Sequence, residues 1–548
     1  MTQPRRSPAA QEWITHDPDP QTAAELAACS DEQLEERFAH PLTFGTAGLR
    51  GPLRGGPNGM NLAVVLRTTW AVARVLEDRC LSGSRVVVGR DARHGSEDFA
   101  LAAAEVLAAE GFPVTLLPAA VPTPVVAFAV RHLNAAAGIQ ITASHNPPSD
   151  NGYKLYFEGG LPIASPTDRE IEAAMAAAPN ADEIPRQAVE PSGIEVIEHY
   201  LDRAAHMRHT DGSVRVALTP LHGVGGEFAV DALTRAGLTD ICTVDSQFAP
   251  DPNFPTVTSP NPEEPGAVDA LLTLAADVNA DLAVALDPDA DRCAVGVPTP
   301  SGWRMLSGDE TGWLLGDYIL SQVEPGEVTA ATVVASTVVS SRMLAAIAAA
   351  HGTRHVETLT GFKWLARADT DLPGSTLVYA YEEAIGHCVD PAAVRDKDGI
   401  TAAVLACDLV VALREQGRTV LDALDVLGRR HGVHLTSTVT AQTEDAGQVM
   451  TRLRAAPPTT LAGLAVTVED LLARRGQHRT DALIFTGGDE QTSVRLAVRP
   501  SGTEPKIKGY IEIRQAVDDD LAAARAKATD LSAKVEAEAA NLIQRGPN

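Results

Sequence analysis

One short loop, residues 142–148, carries the residue types best suited to covalent chemistry in this chain. It reads Thr-Ala-Ser-His-Asn-Pro-Pro, so the hydroxyl of Ser144 stands beside an imidazole and an amide. The two prolines remove backbone donors and restrict the turn. The mostly apolar run at 135–141 predicts a buried strand that ends just before the loop. Because open α/β sheets bind ligands at the carboxyl ends of their strands, we expect Ser144 to carry a covalent group there.

Three aspartates at alternate positions form a second chemical feature: Asp287, Asp289 and Asp291. Carboxylate oxygens without a neighbouring His ligand favour Mg²⁺ or Ca²⁺ over zinc. The apolar run at 282–286 predicts a buried strand that ends in this cluster, and Arg292 places a guanidinium suited to phosphate beside it. An EF-hand does not fit, because Arg292 stands where that loop needs glycine. Taken alone, the segment could also be a surface turn rich in aspartate.

A third segment near the C-terminus, residues 499–508, combines the donors that recognise an anion. They comprise a guanidinium, two hydroxyls, a glycine that allows close backbone approach and two ammonium groups. The residues concerned are Arg499, Ser501, Gly502, Thr503, Lys506 and Lys508. This composition predicts a phosphate site, although a polar hairpin turn uses similar residues.

Together the three segments resemble the α-D-phosphohexomutase superfamily, which includes phosphoglucomutase and phosphomannomutase. The matching stretches are GTAGLRG at 45–51, TASHNPPSDNGYK at 142–154, DPDADR at 287–292, GDE at 308–310, GFK at 361–363, YEEAIGH at 381–387 and RPSGTEPK at 499–506. They follow the order of the family and span nearly the whole chain, which argues against a chance match to any one motif.

The resemblance implies a phosphoenzyme mechanism. Phosphorylated Ser144 donates its phosphoryl group to one sugar hydroxyl, and the bisphosphorylated sugar then returns its other phosphate to the serine. Mg²⁺ is the implied cofactor, held by Asp287, Asp289, Asp291 and an oxygen of the phosphoserine. A sugar 1,6-bisphosphate is the implied intermediate and activator. Charge neutralisation and alignment, rather than covalent assistance, dominate such phosphoryl transfers.

The same resemblance implies roles for further residues. The implied catalytic set is Ser144, His145, Lys154, Arg50, Arg292 and His387. His145 supports the phosphoserine loop and Arg292 supplies positive charge, whereas Arg50, Lys154 and His387 remain alternatives for proton handling and phosphate contact. The implied sugar-binding residues are Gly361, Lys363, Glu382 and Glu383, and the residues of the segment 499–508 named above bind phosphate.

The identity of the sugar depends on the segment 381–387. Family members carry a glutamate and, two residues later, a serine that bind two sugar hydroxyls. If Glu382 is that glutamate, Ala384 replaces the serine, and Glu383 is the other candidate carboxylate. The sequence resembles the branch that includes phosphopentomutase and glucose-1,6-bisphosphate synthase members. We expect a hexose phosphate mutase acting on glucose or mannose phosphates, with a phosphopentomutase or a sugar-bisphosphate synthase as the alternative.

Other classes of protein make different demands on the sequence. A non-catalytic sugar-phosphate binder would not need Ser144 or the aspartates, and both are intact. A metal-dependent phosphatase would differ only in letting water reach the phosphoserine. A serine hydrolase is disfavoured, because no GxSxG elbow surrounds Ser144 and adjacent Ser and His side chains are expected to diverge.

Composition restricts the partners and the compartment. The formal net charge of −27 disfavours nucleic acid and an anionic membrane surface, and leaves small sugar phosphates as the expected partners. Six cysteines without CxxC spacing suit reduced thiols in the cytoplasm. No secretory leader or membrane-spanning run is expected. We expect a monomer or a homodimer.

The elements that must position these motifs recur along the chain. A strand, a polar loop, a helix, a glycine and a second strand follow one another from 86, from 214 and from 331, at intervals of about 120 residues. Beyond Gly432 the pattern changes to strands followed by a long polar helix. This predicts an α/β protein with three related βαβ-type domains and a smaller C-terminal α+β domain around a central cleft. The predicted limits are 1–205 (phosphoserine), 206–324 (metal), 325–431 (sugar) and 432–548 (phosphate).

Overall fold

A computed structural model describes residues 7–45, 48–323, 331–443, 445–501 and 506–544. Its helices are α1 Pro8–Thr15, α2 Pro20–Ala28, α3 Asp31–Ala39, α4 Leu62–Asp78, α5 Ser96–Ala109, α6 Thr123–His132, α7 Thr167–Ala176, α8 Ile194–Ala205, α9 Gly225–Arg235, α10 Asp245–Phe248, α11 Asp269–Asp277, α12 Gly308–Gln322, α13 Met343–His351, α14 Phe362–Leu365, α15 Gly399–Glu415, α16 Val420–His431, α17 Ala446–Ala455 and α18 Leu521–Gln544. Its strands are β1 Leu49–Pro52, β2 Val86–Arg90, β3 Val114–Leu116, β4 Ala137–Ile141, β5 Asp150–Phe157, β6 Leu161–Pro162, β7 Val216–Thr219, β8 Ile241–Thr243, β9 Leu282–Leu286, β10 Cys293–Thr299, β11 Gly302–Met305, β12 Thr332–Thr337, β13 Arg354–Thr358, β14 Thr376–Glu382, β15 Gly386–Cys388, β16 Val433–Gln442, β17 Thr460–Leu461, β18 Leu464–Asp470, β19 Leu483–Gly488, β20 Thr492–Pro500 and β21 Lys506–Gln515.

The chain divides into two compact units. The first comprises Met1–Leu306 together with Gly386–Val411, and the second comprises Ser307–Ile385 together with Ala412–Asn548. The segment Gly386–Val411 therefore groups with the first unit, although its first two residues belong to the motif at 381–387. The four domain limits given above stay a prediction.

The first unit contains two sheets. One orders its strands β1-β5-β4-β2-β3, with β6 on β5, and β2, β3 and β4 run parallel. The other orders its strands β11-β10-β9-β7-β8, with β7, β8 and β9 parallel. Strands β4 and β9 are buried at every position, which explains why both read as continuous apolar runs. The Ser144 loop follows β4, and the aspartates lie in the connection between β9 and the antiparallel β10.

The second unit contains a parallel set and a separate antiparallel sheet. Strand β12 lies between β13 and β14 and runs parallel to both. The C-terminal sheet orders its strands β16-β21-β20-β19-β18-β17, and the apolar side of α18 shares a core with it. This smaller α+β layer begins at Val433, directly after Gly432, as the sequence predicts.

The predicted repeat is confirmed. The three copies are β2-α5-β3, β7-α9-β8 and β12-α13-β13, and in each copy the two strands pair in parallel. The glycines that end the helices, Gly111, Gly237 and Gly352, have φ values of 84°, 78° and 73°, a region that residues with a Cβ avoid. The fold class is therefore α/β with three related domains and a distinct C-terminal α+β domain. Among the described residues, no helix is both long enough and apolar enough to cross a bilayer.

Candidate active site

Ser144 lies in a tight turn directly after β4. Its φ of 54° is left-handed, which is uncommon for a residue other than glycine. Its N–H donates to Thr142 Oγ1 at 2.9 Å, and its side chain is almost fully buried. Strained backbone of this kind clusters at functional sites, where the surrounding structure holds it in place. The turn thus fixes the backbone conformation of Ser144.

The serine hydroxyl points at the aspartate cluster, 143 residues further along the chain. Ser144 Oγ donates to Asp287 Oδ2 at 2.8 Å, and the backbone N–H of Arg292 donates to Asp287 Oδ1 at 3.1 Å. Asp287, Asp289 and Asp291 are buried, and one ligand oxygen from each lies within 4.8 Å of the others. The fold of the first unit therefore brings together the serine and the three predicted metal ligands.

The donor set fits a hard divalent cation. Among the described residues, this is the one group of three or more His, Cys, Asp or Glu side chains arranged to hold a metal ion. The Oδ1 atoms of Asp289 and Asp291 are buried and accept no hydrogen bond. Buried carboxylate oxygens normally have partners, so these two atoms are open for a metal. Three carboxylates and a serine oxygen match the ligands of Mg²⁺.

Two buried lysines balance the charge of the aspartates. Lys154 Nζ lies 2.6 Å from Asp289 Oδ2 and 2.7 Å from Asp291 Oδ2, and Lys397 Nζ lies 3.1 Å from Asp291 Oδ2. Burial opposes ionisation of Asp289 and Asp291, but Lys154, joined at Asp291 by Lys397, outweighs it, and the pKa of both carboxyls lies below the ordinary value. Burial and the two neighbouring carboxylates instead raise the pKa of Asp287 well above its ordinary range.

His145 and Arg50 flank the serine. His145 Nδ1 lies 3.2 Å from Ser144 Oγ, so the expectation that these adjacent side chains diverge is wrong. The left-handed turn at the serine brings them together. Burial, followed by the nearby cations of Arg292 and Arg50, holds the pKa of His145 well below its ordinary value, which leaves a neutral ring. Arg50 Nη1 donates to Asn146 Oδ1 at 3.2 Å.

The other two predicted catalytic residues also lie in the first unit. Arg292 extends from the aspartate hairpin, with Nε 3.9 Å from Asp291 Oδ1 and Nη1 3.8 Å from Glu263 Oε2. His387 lies in β15 and is buried, and this burial lowers its pKa to about 3. The ring of His387 is therefore neutral near neutral pH.

The two predicted sugar-binding carboxylates belong to the second unit. Glu382 ends β14. Glu383 follows it, and its Oε2 accepts hydrogen bonds from Thr337 Oγ1 at 3.1 Å and Ser340 Oγ at 3.0 Å. Ser340 Oγ also accepts the N–H of Glu383 at 3.2 Å. Glu383 is thus held by protein hydroxyls.

The GDE motif, residues 308–310, packs against the loop that carries Glu383. A Cβ on Gly308 would lie 2.0 Å from the carbonyl oxygen of Glu383, so only glycine allows this approach. Asp309 Oδ1 accepts the N–H of Ser341 and the hydroxyl of Tyr381, both at 2.8 Å. Elsewhere in this unit, Gly361 directly precedes the short helix α14, and Lys363 lies within that helix.

The described residues of the predicted phosphate segment lie where β20 ends and where β21 begins. Arg499 on β20 lies opposite Lys508 on β21, and the N–H of Ser501 donates to the carbonyl oxygen of Lys506 at 2.8 Å. The antiparallel pairing of β20 and β21 thus places two cationic residues of the segment opposite each other, and its role as a phosphate site stays a prediction. Gly502 and Thr503 lie outside the described residues.

Three further residues, which the sequence analysis did not single out, contact the site: Lys397, Thr123 and Arg93. Thr123 Oγ1 donates to Asp289 Oδ2, and nothing in its local sequence marks it. Lys397 stands between two aspartates before the buried helix α15, a charged triplet that could have flagged it. Arg93 follows β2 at the same edge of the sheet as the serine loop, so the strand-end rule that identified Ser144 also applies to it.

Comparison with known proteins places these features in a family. Its domains are described as phosphoglucomutase/phosphomannomutase α/β/α domains, of which domain I matches residues 41–182, domain II residues 198–301 and domain III residues 307–428. These matches cover more than half of the chain, including Ser144, the three aspartates and both candidate glutamates.

Individual relatives agree. The chain is 39% identical to a "probable phosphomannomutase" of Haemophilus influenzae over 83% of this chain and 93% of that protein. It is 34% identical to the phosphopentomutase of Mus musculus over 92% of this chain and 89% of that protein. A solved phosphoglucomutase/phosphomannomutase family protein from Burkholderia thailandensis has the same fold, with a TM-score of 0.69, 21% identity and coverage of 92% and 98%. The chain belongs to the phosphoglucomutase/phosphomannomutase family of the α-D-phosphohexomutase superfamily and is a phosphosugar mutase, an intramolecular phosphotransferase.

Proposed function

We propose that this mutase interconverts the 1-phosphate and 6-phosphate of a hexose, glucose or mannose, through a phosphoserine at Ser144. One observation carries the proposal of a serine phosphoenzyme. The buried Ser144 Oγ lies 2.8 Å from Asp287 Oδ2, the first of three carboxylates able to hold one cation. A serine placed beside a metal site can exchange a phosphoryl group while the developing charge is neutralised.

The reaction comprises two transfers that balance each other. In the first, the bond between phosphorus and Ser144 Oγ breaks, a bond from phosphorus to a sugar hydroxyl oxygen forms, and the hydroxyl proton passes to a base. In the second, the other phosphate of the bisphosphorylated sugar moves to Ser144 Oγ, and the sugar oxygen that it leaves recovers a proton. No net phosphate is consumed, so a sugar 1,6-bisphosphate serves as both intermediate and activator.

The surrounding side chains hold the serine and the charges. Asp287, Asp289, Asp291 and Ser144 would hold Mg²⁺, which when bound supplies positive charge to the transferring phosphoryl group. Lys154 and Arg292 add fixed positive charge at the same place. His145 is neutral and close to Ser144 Oγ, so it orients the serine oxygen.

Substrate recognition is assigned to the second unit. We propose that Glu382, Gly361 and Lys363 contact the sugar. The substrate phosphate that does not react binds the segment 499–508, through Arg499, Ser501, Gly502, Thr503, Lys506 and Lys508. Guanidinium, hydroxyl and ammonium donors of this kind suit a phosphate.

A pentose phosphate is the second candidate substrate, and one observation favours it. Ala384 stands where a family serine binds a sugar hydroxyl, so one contact to a hexose is missing. The similarity to the mouse phosphopentomutase agrees with this alternative. A sugar-bisphosphate synthase would use the same serine and metal site but would release the bisphosphate.

One assay separates these activities. The purified protein is incubated with Mg²⁺, a trace of the matching sugar bisphosphate and glucose 1-phosphate, mannose 1-phosphate or ribose 1-phosphate, and products are followed by phosphorus NMR. We expect glucose or mannose 6-phosphate to form fastest. Faster conversion of ribose 1-phosphate would establish the pentomutase, release of free phosphate a phosphatase, accumulation of bisphosphate a synthase, and no change a binder.

Ser144→Ala tests the phosphoenzyme directly. We expect turnover to fall by at least about 10³-fold, because no other hydroxyl occupies that position, while the thermal midpoint and substrate binding stay close to wild type. Ser149→Ala removes an exposed hydroxyl from the same segment and serves as the control. A near-normal rate in Ser144→Ala would eliminate the phosphoserine mechanism.

A further inference from the structure

One buried arginine, Arg93, donates several hydrogen bonds to the backbone of the loop that carries Ser144. Arg93 is 4% exposed, and all four of its guanidinium Nη hydrogen bonds go to main-chain carbonyl oxygens of that loop. Nη2 donates to the carbonyls of Ser144 and Asn146, both at 2.6 Å. Nη1 donates to the carbonyls of Pro147 and Asp150 at 2.8 and 3.1 Å.

The loop needs an outside donor at these positions. Two consecutive prolines lack N–H groups, and the left-handed serine bends the chain so that several carbonyls converge. A flat guanidinium presents donors in a rigid fork, whereas an ammonium is a single point that cannot reach four separated oxygens. The arginine therefore matches a geometry that lysine does not.

The arginine is itself fixed from both sides. Asp91 Oδ1 accepts the N–H of Arg93 at 2.9 Å and the hydroxyl of Ser96 at 2.6 Å, and Asp91 Oδ2 lies 3.4 Å from Arg93 Nε. Asn151 Nδ2 donates to Ser96 Oγ at 3.0 Å, which connects this network to the far end of the loop. The ring of Phe254 lies 5.0 Å from the Arg93 guanidinium carbon.

We propose that Arg93 is a positioning residue that sets the direction of the Ser144 hydroxyl toward the reacting phosphoryl group. Its contacts with the serine loop are to backbone carbonyl oxygens alone, so it acts through Ser144. The inference rests on the proposed phosphoserine. Because an error of about 1 Å in aligning reacting atoms can cost about 100-fold in rate, loss of the fork lowers kcat far more than it changes KM.

The test compares Arg93→Lys, which keeps the charge, with Arg93→Met, which removes it. We expect both variants to lose about 100-fold in kcat, with KM within about threefold of wild type. The phosphoserine, followed by intact-protein mass, is also expected to hydrolyse faster than in wild type. A kcat of Arg93→Lys within about threefold of wild type would overturn the proposal, because charge alone would then suffice.

Arg208→Lys is the matched control. Arg208 also donates from its two Nη atoms to backbone carbonyls, those of Ala236 and Gly212, but makes no contact with the serine loop. We expect it to keep wild-type kcat even if its thermal midpoint falls. An equal kcat loss in Arg208→Lys would show a general stability effect and overturn the proposal.

A second variant decides the matter if neither Arg93 variant folds. Phe254→Leu keeps an apolar cover but removes the aromatic face, and we expect kcat to fall about fivefold with KM unchanged. A kcat within about twofold of wild type would then count against the proposal. Failure of the phosphoserine mechanism itself is distinguishable, because the wild-type protein would then carry no phosphate on Ser144.

Discussion

At the scale of single residues, the site is a balance of buried charges. Three carboxylates share a small volume with two ammonium groups, and the lysines lie on the oxygens that a metal does not need. Asp289 and Asp291 each keep one buried oxygen without a hydrogen bond. The lysines thus keep Asp289 and Asp291 ionised, and the Oδ1 atoms of these two residues are available to a divalent cation.

Lys154→Met should reveal this balance. Without metal we expect the variant to lose about 3 kcal/mol or more of stability, because a buried pair deprived of one partner leaves an uncompensated charge. Mg²⁺ should restore much of that loss, since a bound cation replaces the missing charge. Thermal midpoints in EDTA and in Mg²⁺ measure both effects.

The control for this variant is Lys527→Met on the exposed side of α18. It should change neither the midpoint in EDTA nor the gain from Mg²⁺. If Mg²⁺ stabilises Lys154→Met no more than it stabilises the wild type, the lysine does not compensate the metal ligands.

At the scale of elements, the functional loops lie at strand ends and are held by hydrogen bonds to hydroxyl and carboxylate groups. The loop after β12 shows this within the second unit. Ser340 supports Glu383, and Glu512 Oε1 on β21 accepts the Ser341 hydroxyl at 2.6 Å and the Arg342 N–H at 2.8 Å. The C-terminal sheet thus fixes the loop that in turn fixes the proposed sugar-binding strand end.

Ser340→Ala should weaken sugar binding without touching the reacting groups. The side chain of Glu383 loses one of two hydroxyl donors, and its N–H loses an acceptor. We expect KM to rise about tenfold, equivalent to about 1.4 kcal/mol, within the cost of breaking such a buried bond. Steady-state kinetics with the preferred sugar phosphate measure this. Ser437→Ala, in the C-terminal sheet, is the control, and a loss confined to kcat would contradict the role.

At the scale of the whole molecule, a net charge of −27 coexists with a site for anions. Arg50, Lys154 and Arg292 supply positive charge at the functional loops despite the acidic balance of the whole chain. Some acids are nevertheless buried, and these make stability depend on pH. Asp309 is one of them, since burial raises its pKa to about 7.

The sign of that dependence follows from proton linkage. Folded Asp309 keeps a proton between its ordinary pKa of 3.8 and about 7, whereas the unfolded chain releases it. The free energy of unfolding therefore falls as pH rises through this window and levels off above it. Asp309→Asn keeps the acceptor oxygen for Ser341 and Tyr381 but cannot ionise.

We expect Asp309→Asn to match the wild type near pH 5 and to exceed its thermal midpoint near pH 8, because the buried charge is gone. Melting curves across this range measure the difference. Asp530→Asn, an exposed change of equal charge, controls for net charge. If the thermal midpoint of Asp309→Asn instead fell further below that of the wild type as pH rises, the linkage would be contradicted.

Much of this architecture could be predicted from the sequence, because it depends on local patterns. Apolar runs marked β4 and β9 to within two residues, and the alternation of strand, helix and glycine marked the repeat. Phosphoryl transfer through a phosphoserine followed from the family resemblance. Residue types at the strand ends, serine in one loop and aspartates in another, indicated a covalent group and an oxygen-bound metal. These signals lie within short segments, so periodicity and composition are enough to find them.

The pairings across the chain were decided only by the tertiary structure. Lys397 contacts Asp291, which lies more than 100 residues away in sequence, and Arg93 contacts the serine loop from about 50 residues away. The local sequence around Lys397 or Arg93 does not indicate which residue it will contact. Both glutamates suit the sugar by type, and only the tertiary structure shows that the hydroxyls of Thr337 and Ser340 donate to Glu383. The physical reason is that sequence patterns report how each segment is buried, whereas the partner of a buried charge depends on which segments the fold packs together.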